Sequence, residues 1–100
     1  MSYAVRFPTA SLEKQFGKVL SKIPDKNLRL KIVDEVEKLG SDPFPEGKKF
    51  KFLRPPVDLF AVTATCRLRI GDYRVLYDVD EEKKTVWVLA LRRRSEKTYD

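Results

Sequence analysis

Arg67, Arg69 and Arg74 flank a Gly71-Asp72 pair in the segment Cys66-Arg67-Leu68-Arg69-Ile70-Gly71-Asp72-Tyr73-Arg74-Val75-Leu76-Tyr77. Glycine accepts a positive φ without strain, so Gly-Asp suits the two-residue turn of a tight β-hairpin. That register sets Ile70 against Tyr73, Arg69 against Arg74, Leu68 against Val75 and Arg67 against Leu76. Side chains alternate between the two faces of a strand. One face then collects Cys66, Leu68, Ile70, Tyr73, Val75, Tyr77 and Val79, which is a core; the other collects Arg67, Arg69 and Arg74. Like charges directly opposite on a strand pair are destabilising by about 0.2–1 kcal/mol. A single arginine there splays into water, whereas three converging on one face point to a polyanion site. A one-residue slip would undo the reading.

Thr85 to Leu91 is strongly strand-like and runs into Arg92-Arg93-Arg94, so six of the nine arginines lie between Arg67 and Arg94. Guanidinium groups grip phosphate bidentately and keep their charge. With a symmetric loop, Val79 faces Val86, and Val88 and Ala90 continue the core face. Trp87 reads as core packing. Tyr99 lies beyond the basic cluster, where it either stacks on an unpaired base or frays with the terminus. Lys14, Lys18 and Lys22, four residues apart, read as a solvated helix face. Lys48, Lys49 and Lys51 lie on a strand or its approach, where they flank the arginine face or simply meet water. Cys66 reads as a small buried hydrophobe.

Histidine is absent and Cys66 is the sole cysteine. Ser-His-Asp triads, Cys-His pairs, histidine bases and zinc hydrolases are therefore excluded. So are an internal disulfide and a cysteine-built metal site, and neither metal nor cofactor is expected. Lys plus Arg number 21 against 15 acids, a net charge of +6. Such a surplus favours polyanions through counterion release and steering, although 36% charged residues also suit a solvated surface. Placement decides. No apolar run approaches the ~20 residues of a membrane helix, and no signal-peptide pattern follows Met1. The expectation is a cytoplasmic protein with no membrane partner.

The elements that must hold these cations follow from the rest of the chain. One hundred residues, 42% of them hydrophobic, imply a single domain over 1–100. Ser2 to Phe7 alternates as a short strand. Pro8 opens a helix with Thr9 or Ser11 as N-cap and Leu12, Phe16, Val19, Leu20 and Ile23 on its apolar face. Pro24-Asp25 ends it and caps a second helix, which carries Leu28, Ile32, Val33, Val36 and Leu39 inward, with Gly40 as a left-handed cap. Ser41 to Gly47 is a loop, Lys48 to Leu53 alternates again, Arg54-Pro55-Pro56 breaks the chain, and Leu59 to Ala64 is extended. The fold class is α+β: an N-terminal strand, a helical hairpin, then a three- to four-stranded antiparallel sheet with the helices on one face.

The arginine hairpin, the hydrophobic strand after it, the arginine cluster and the near-terminal tyrosine together resemble the RelE/ParE toxin superfamily. Tyr3-Ala4-Val5-Arg6-Phe7 is similar to its first strand, and the helix pair followed by Asp42-Pro43 also fits. The resemblance spans nearly the whole chain, and its specific part is Arg-x-Arg-x-Gly-Asp-Tyr-Arg. A RelE-like member would be a ribosome-dependent endoribonuclease that cuts messenger RNA in the ribosomal A site, neutralised by a cognate antitoxin that wraps it. Carried over by position, the family's strand cations fall on Arg67 and Arg69, its most consistent arginine on Arg74, a second on Arg94 or Arg93, and its tyrosine on Tyr99. The resemblance implies attack of a 2′-hydroxyl on the adjacent phosphate, giving 2′,3′-cyclic phosphate ends. Arg74 and Arg94 would stabilise the developing charge and Tyr99 would stack on the nucleotide.

Relatives often carry lysine where this chain has Arg67 and Arg69. Arginine keeps its proton to above ~pH 12, so neither serves as a general base. Lysine is driven toward neutrality by adjacent positive charge, which makes Lys49 or Lys51 the substitutes. Arg54 to Thr65 is longer than the family's usual connection. Two alternatives stand beside this reading. A ParE-like gyrase inhibitor needs no cation constellation for RNA cleavage, so Arg67, Arg69, Arg74, Arg94 and Tyr99 together argue against it. A non-catalytic RNA-binding module would bind with a salt slope of roughly −0.7 per neutralised phosphate and would not cleave.

Overall fold

The computed structural model describes residues 2–94. Its elements are β1 (Ala4–Arg6), α1 (Ala10–Ser21), α2 (Lys26–Lys38), β2 (Phe50–Leu59), β3 (Val62–Ile70), β4 (Tyr73–Asp80) and β5 (Thr85–Arg93). The α+β class and the element order agree with the sequence. The strands form one five-stranded sheet in the order β1-β5-β4-β3-β2. β1 joins it parallel to β5, while β2 to β5 are antiparallel neighbours.

Local chemistry starts both helices. Thr9 caps α1 by accepting a hydrogen bond from the Leu12 amide at 3.1 Å, and Asp25 caps α2 through the Asn27 amide at 2.9 Å. Phe16 of α1 and Ile32 and Val36 of α2 are buried against one sheet face, with Ile23 between the helices and Leu39 at the end of α2. Val33, expected inward, is exposed: it lies about 100° around the helix from Ile32 and so leaves the stripe that Ile32, Val36 and Leu39 define. Gly40 does not take the expected left-handed backbone. Its role is close approach, since Tyr3 N donates to Gly40 O at 2.6 Å and an added Cβ would lie 2.9 Å from the Tyr3 carbonyl oxygen.

The β3–β4 register is the one the arginine spacing implies, from Ile70 opposite Tyr73 to Arg67 opposite Leu76, with Gly71 at φ +59. Cys66, Leu68, Ile70, Val75 and Tyr77 accordingly lie buried beneath the helices. A second cluster occupies the other face: Leu53, Val57, Ala64, Leu76 and Leu89, with Leu12 and half-buried Trp87 packed against it.

Two irregularities separate the sheet from simple alternation. Leu76 pairs with Ala90 but Tyr77 pairs with Val88, so Leu89 is an extra residue on β5. Val86 and Val88 keep the helix-facing side as expected, whereas Ala90 crosses to the second face and Leu91 takes the core position opposite Val75. The second irregularity is in β2, where Phe52 pairs with Cys66 and Val57 with Ala64. Arg54-Pro55-Pro56 thus displaces the register without ending the strand, because an edge strand tolerates prolines on its unpaired side. Leu59 to Ala64 is not one extended piece: Leu59 pairs with Val62 across a tight Phe60-Ala61 turn.

Candidate functional site

The register gathers cations in a row across four neighbouring segments. Arg69 faces Arg74, and Arg74 faces Arg92. On the far side the Arg69 amide donates to the Lys49 carbonyl at 2.9 Å, which places Lys49 beside Arg69 at the start of β2. With strands ~4.8 Å apart, Lys49, Arg69, Arg74 and Arg92 span ~15 Å. A second row runs Lys51, Arg67, Leu76, Ala90. A third holds Thr65, Asp78 and Trp87, with the Thr65 hydroxyl donating to the Asp78 carboxylate. The second face therefore grades from basic at the β3–β4 turn to acidic at the other end.

Burial divides the cations. Arg67 and Arg74 are only 6% and 8% exposed, while Lys49 and Lys51 are exposed. An arginine is rarely buried without acceptors, and the backbone supplies some: Arg67 Nη1 donates to the Lys49 carbonyl at 3.3 Å and Arg74 Nη1 to the Arg94 carbonyl at 3.5 Å. Arg94 N in turn donates to Asp72 O at 2.6 Å, tying the end of β5 to the β3–β4 turn. These contacts hold the guanidinium groups in fixed directions. The arrangement suits electrostatic binding of phosphate and stabilisation of charge developing on it.

The other residues singled out in the sequence are placed as follows. Arg93 pairs with Tyr73, whose register position belongs to the helix-facing side, so the bulge at Leu89 brings Arg92 rather than Arg93 onto the cation face. Arg94 is exposed just beyond β5. Tyr99 lies outside the described residues. Lys14, Lys18 and Lys22 are exposed along α1 and its end, apart from the row. Cys66 is buried, and burial pushes its thiol up to about 11. Burial also raises the Tyr77 hydroxyl, which donates to the Pro43 carbonyl at 2.8 Å.

Arg92 also lines a cavity of about 560 Å³ between the start of α1, the β2–β3 turn and the Leu89-Ala90 stretch of β5. Sequence reading counted Arg92 in the arginine cluster without giving it a site role, and it missed this cavity. Neither the bulge nor the Phe60-Ala61 turn carries a glycine, asparagine or aspartate to mark it. Among the described residues no group of three or more His, Cys, Asp and Glu could hold a metal, and no helix is long and apolar enough to cross a membrane.

The family model described as ParE toxin of type II toxin-antitoxin system, parDE, matches residues 9–98. Among solved structures, the chain resembles the archaeal RelE-RelB complex from Pyrococcus horikoshii OT3 with 26% identity and a TM-score of 0.69, covering 97% of this chain and 100% of that one. It resembles the toxin-antitoxin complex RelBE2 from Mycobacterium tuberculosis with 28% identity and a TM-score of 0.59, covering 94% of this chain and all of that one. A mutant of E. coli RelE in the free state shares the fold, at 19% identity and a TM-score of 0.55, over 95% of this chain and 86% of that one. No curated protein sequence matches the chain.

Proposed function

The chain belongs to the RelE/ParE superfamily of toxin–antitoxin proteins, and from that premise we propose that it is a ribosome-dependent endoribonuclease that cleaves messenger RNA. The observation that carries this reading is the row Lys49, Arg69, Arg74, Arg92 with Arg67 behind it. A fold has no use for like charges stacked strand against strand. A bound polyphosphate chain relieves that repulsion.

In this reading the row grips the backbone on either side of the scissile bond. The 2′-hydroxyl oxygen attacks the adjacent phosphorus as its proton leaves, the bond to the 5′-oxygen breaks, and that oxygen is protonated. The products are a 2′,3′-cyclic phosphate and a 5′-hydroxyl. Arg74, held toward the Arg94 carbonyl, stabilises the charge on the phosphoryl oxygens, with Arg94 next to it. Arg67 and Arg69 bind flanking phosphates. Lys49 and Lys51, the exposed side chains beside Arg69 and Arg67, are the residues proposed to take the 2′-hydroxyl proton. Tyr99 is assigned the stacking role, and the protein works in the cytoplasm on the ribosome.

Two solved relatives are toxin–antitoxin complexes, which supports a cognate antitoxin as the partner of this chain. The second reading, a ParE-like inhibitor of gyrase, is favoured by the family model that matches residues 9–98. Production of the chain without antitoxin separates the two. Transcript ends mapped after growth arrest should show new cuts, and Arg74→Ala should restore growth and lower cleavage ~10²–10³-fold, the usual effect of losing one preorganised charge donor. Intact transcripts during arrest would reject the nuclease reading, and loss of supercoiling activity would select the gyrase one.

A further inference from the structure

Two hairpins of this sheet close through two-residue turns, and they place different residues at the same position. Gly71 opens the β3–β4 turn at φ +59, and Phe60 opens the β2–β3 turn at φ +63. That left-handed backbone selects glycine in tight hairpins and strains a bulky L-residue. Phe60 is also fully exposed, so its ring contributes no burial to the fold. Strain and solvation both oppose this residue, and among the described residues nothing in the packing compensates them. Backbone strain of this kind concentrates at ligand sites.

Its surroundings indicate the ligand. Phe60 lines the cavity of about 560 Å³ whose wall also includes Leu12, Leu89, Ala90 and Gln15, a size and mixed lining typical of small-ligand sites. Arg92 belongs both to this cavity and to the cation row. A strand gripped by its phosphates along the row therefore carries a nucleoside to the cavity mouth. Asp58 on the same rim repels a further phosphate, which leaves the base as the part that enters.

We propose that this cavity receives one unpaired nucleobase of the RNA held on the row Lys49, Arg69, Arg74, Arg92, with the Phe60 ring stacked against it. The proposal rests on the RNA reading above and adds a base subsite to it. Stacking on an aromatic ring tolerates any base, because each has a π-face. The Gln15 amide, donor and acceptor at once, then supplies preference among base edges.

The test is binding of 2′-O-methyl RNA hexanucleotides, which cannot be cleaved, each with one abasic position walked along the strand. For the wild-type chain, one abasic position should weaken binding about tenfold, within the range of base–aromatic stacking. Phe60→Gly should bind intact RNA about as weakly as the wild type binds that abasic strand, show less than a twofold further loss, and melt no lower than the wild type. Phe60→Tyr should keep the positional loss. A flat abasic profile in a wild type that binds RNA, or a full positional loss in Phe60→Gly, overturns the subsite and leaves the RNA reading standing. No RNA binding at all by the wild type overturns both.

Discussion

Arg69 and Arg74 stand directly opposite each other across β3 and β4, and Arg92 stands opposite Arg74 on the next strand. Each is a cross-strand neighbour of a like charge, an arrangement that lowers stability wherever no anion bridges it. Folding and binding therefore pull in opposite directions at these positions.

Replacing Arg69 with threonine should expose that opposition. Threonine suits a strand and removes one of the facing charges, so Arg69→Thr should raise stability by about 0.2–1 kcal/mol. In the same variant the salt dependence of RNA binding should weaken by roughly 0.7 in log–log slope, because one fewer phosphate is neutralised. Denaturant titration and binding at several salt concentrations read the two effects. A variant less stable than the parent would show that Arg69 is held by interactions stronger than the repulsion.

Arg92 and Arg93 are neighbours in sequence and belong to opposite sides of the sheet by register. Arg92→Ala should therefore weaken RNA binding and flatten its salt slope by roughly 0.7, whereas Arg93→Ala should leave the slope unchanged. The reverse pattern would mean that the Leu89 bulge is absent from the protein in solution.

Alkaline unfolding should carry the mark of Cys66. Its thiol is raised from an ordinary 9.0 to about 11 by burial, so the native state keeps a proton that the unfolded state gives up. The stability this contributes is fully present below pH 9 and falls as pH rises toward about 11, with a slope of up to ~1.4 kcal/mol per pH unit. Tyr77 acts with the same sign from pH 10 upward. In Cys66→Ala, the decline between pH 9 and pH 10 should largely disappear from denaturant titrations, whatever the absolute loss from the missing sulfur. An unchanged slope would assign the decline to other groups.

Gly40→Ala should destabilise the protein by about 1–3 kcal/mol, the usual effect of overpacking. The new Cβ would sit 2.9 Å from the Tyr3 carbonyl oxygen and 3.2 Å from the Val5 side chain, forcing β1 away from the end of α2. Thermal melts measure the loss directly. An unchanged melting temperature would mean that β1 docks more loosely than these distances imply.

The arginine hairpin was legible because every residue that sets it is local. Gly71 marks the turn, and strict alternation on both sides assigns each side chain to a face, so the pairing from Ile70–Tyr73 to Arg67–Leu76 follows without knowledge of the remaining chain. The helix starts at Thr9 and Asp25 were readable for the same reason, since a cap bonds within three residues of itself. The placement of Phe60 was not readable. A left-handed backbone at phenylalanine violates the local preference, and only the surrounding hairpin imposes it.

Composition and short-range spacing alone thus determined an α+β chain without histidine chemistry, with arginines directed to one face of a hairpin. Tertiary structure decided which arginines complete the row and where the face is open. The extra residue at Leu89 reverses the alternation of β5, exchanging Arg93 for Arg92 and Ala90 for Leu91. Parity along a strand is a contiguous property, but a bulge arises from packing against the neighbouring strand. The insertion lets Leu91 share one core with Val86 and Val88 while Leu89 and Ala90 both lie toward the other, and that requirement is invisible until both faces of the sheet are assembled.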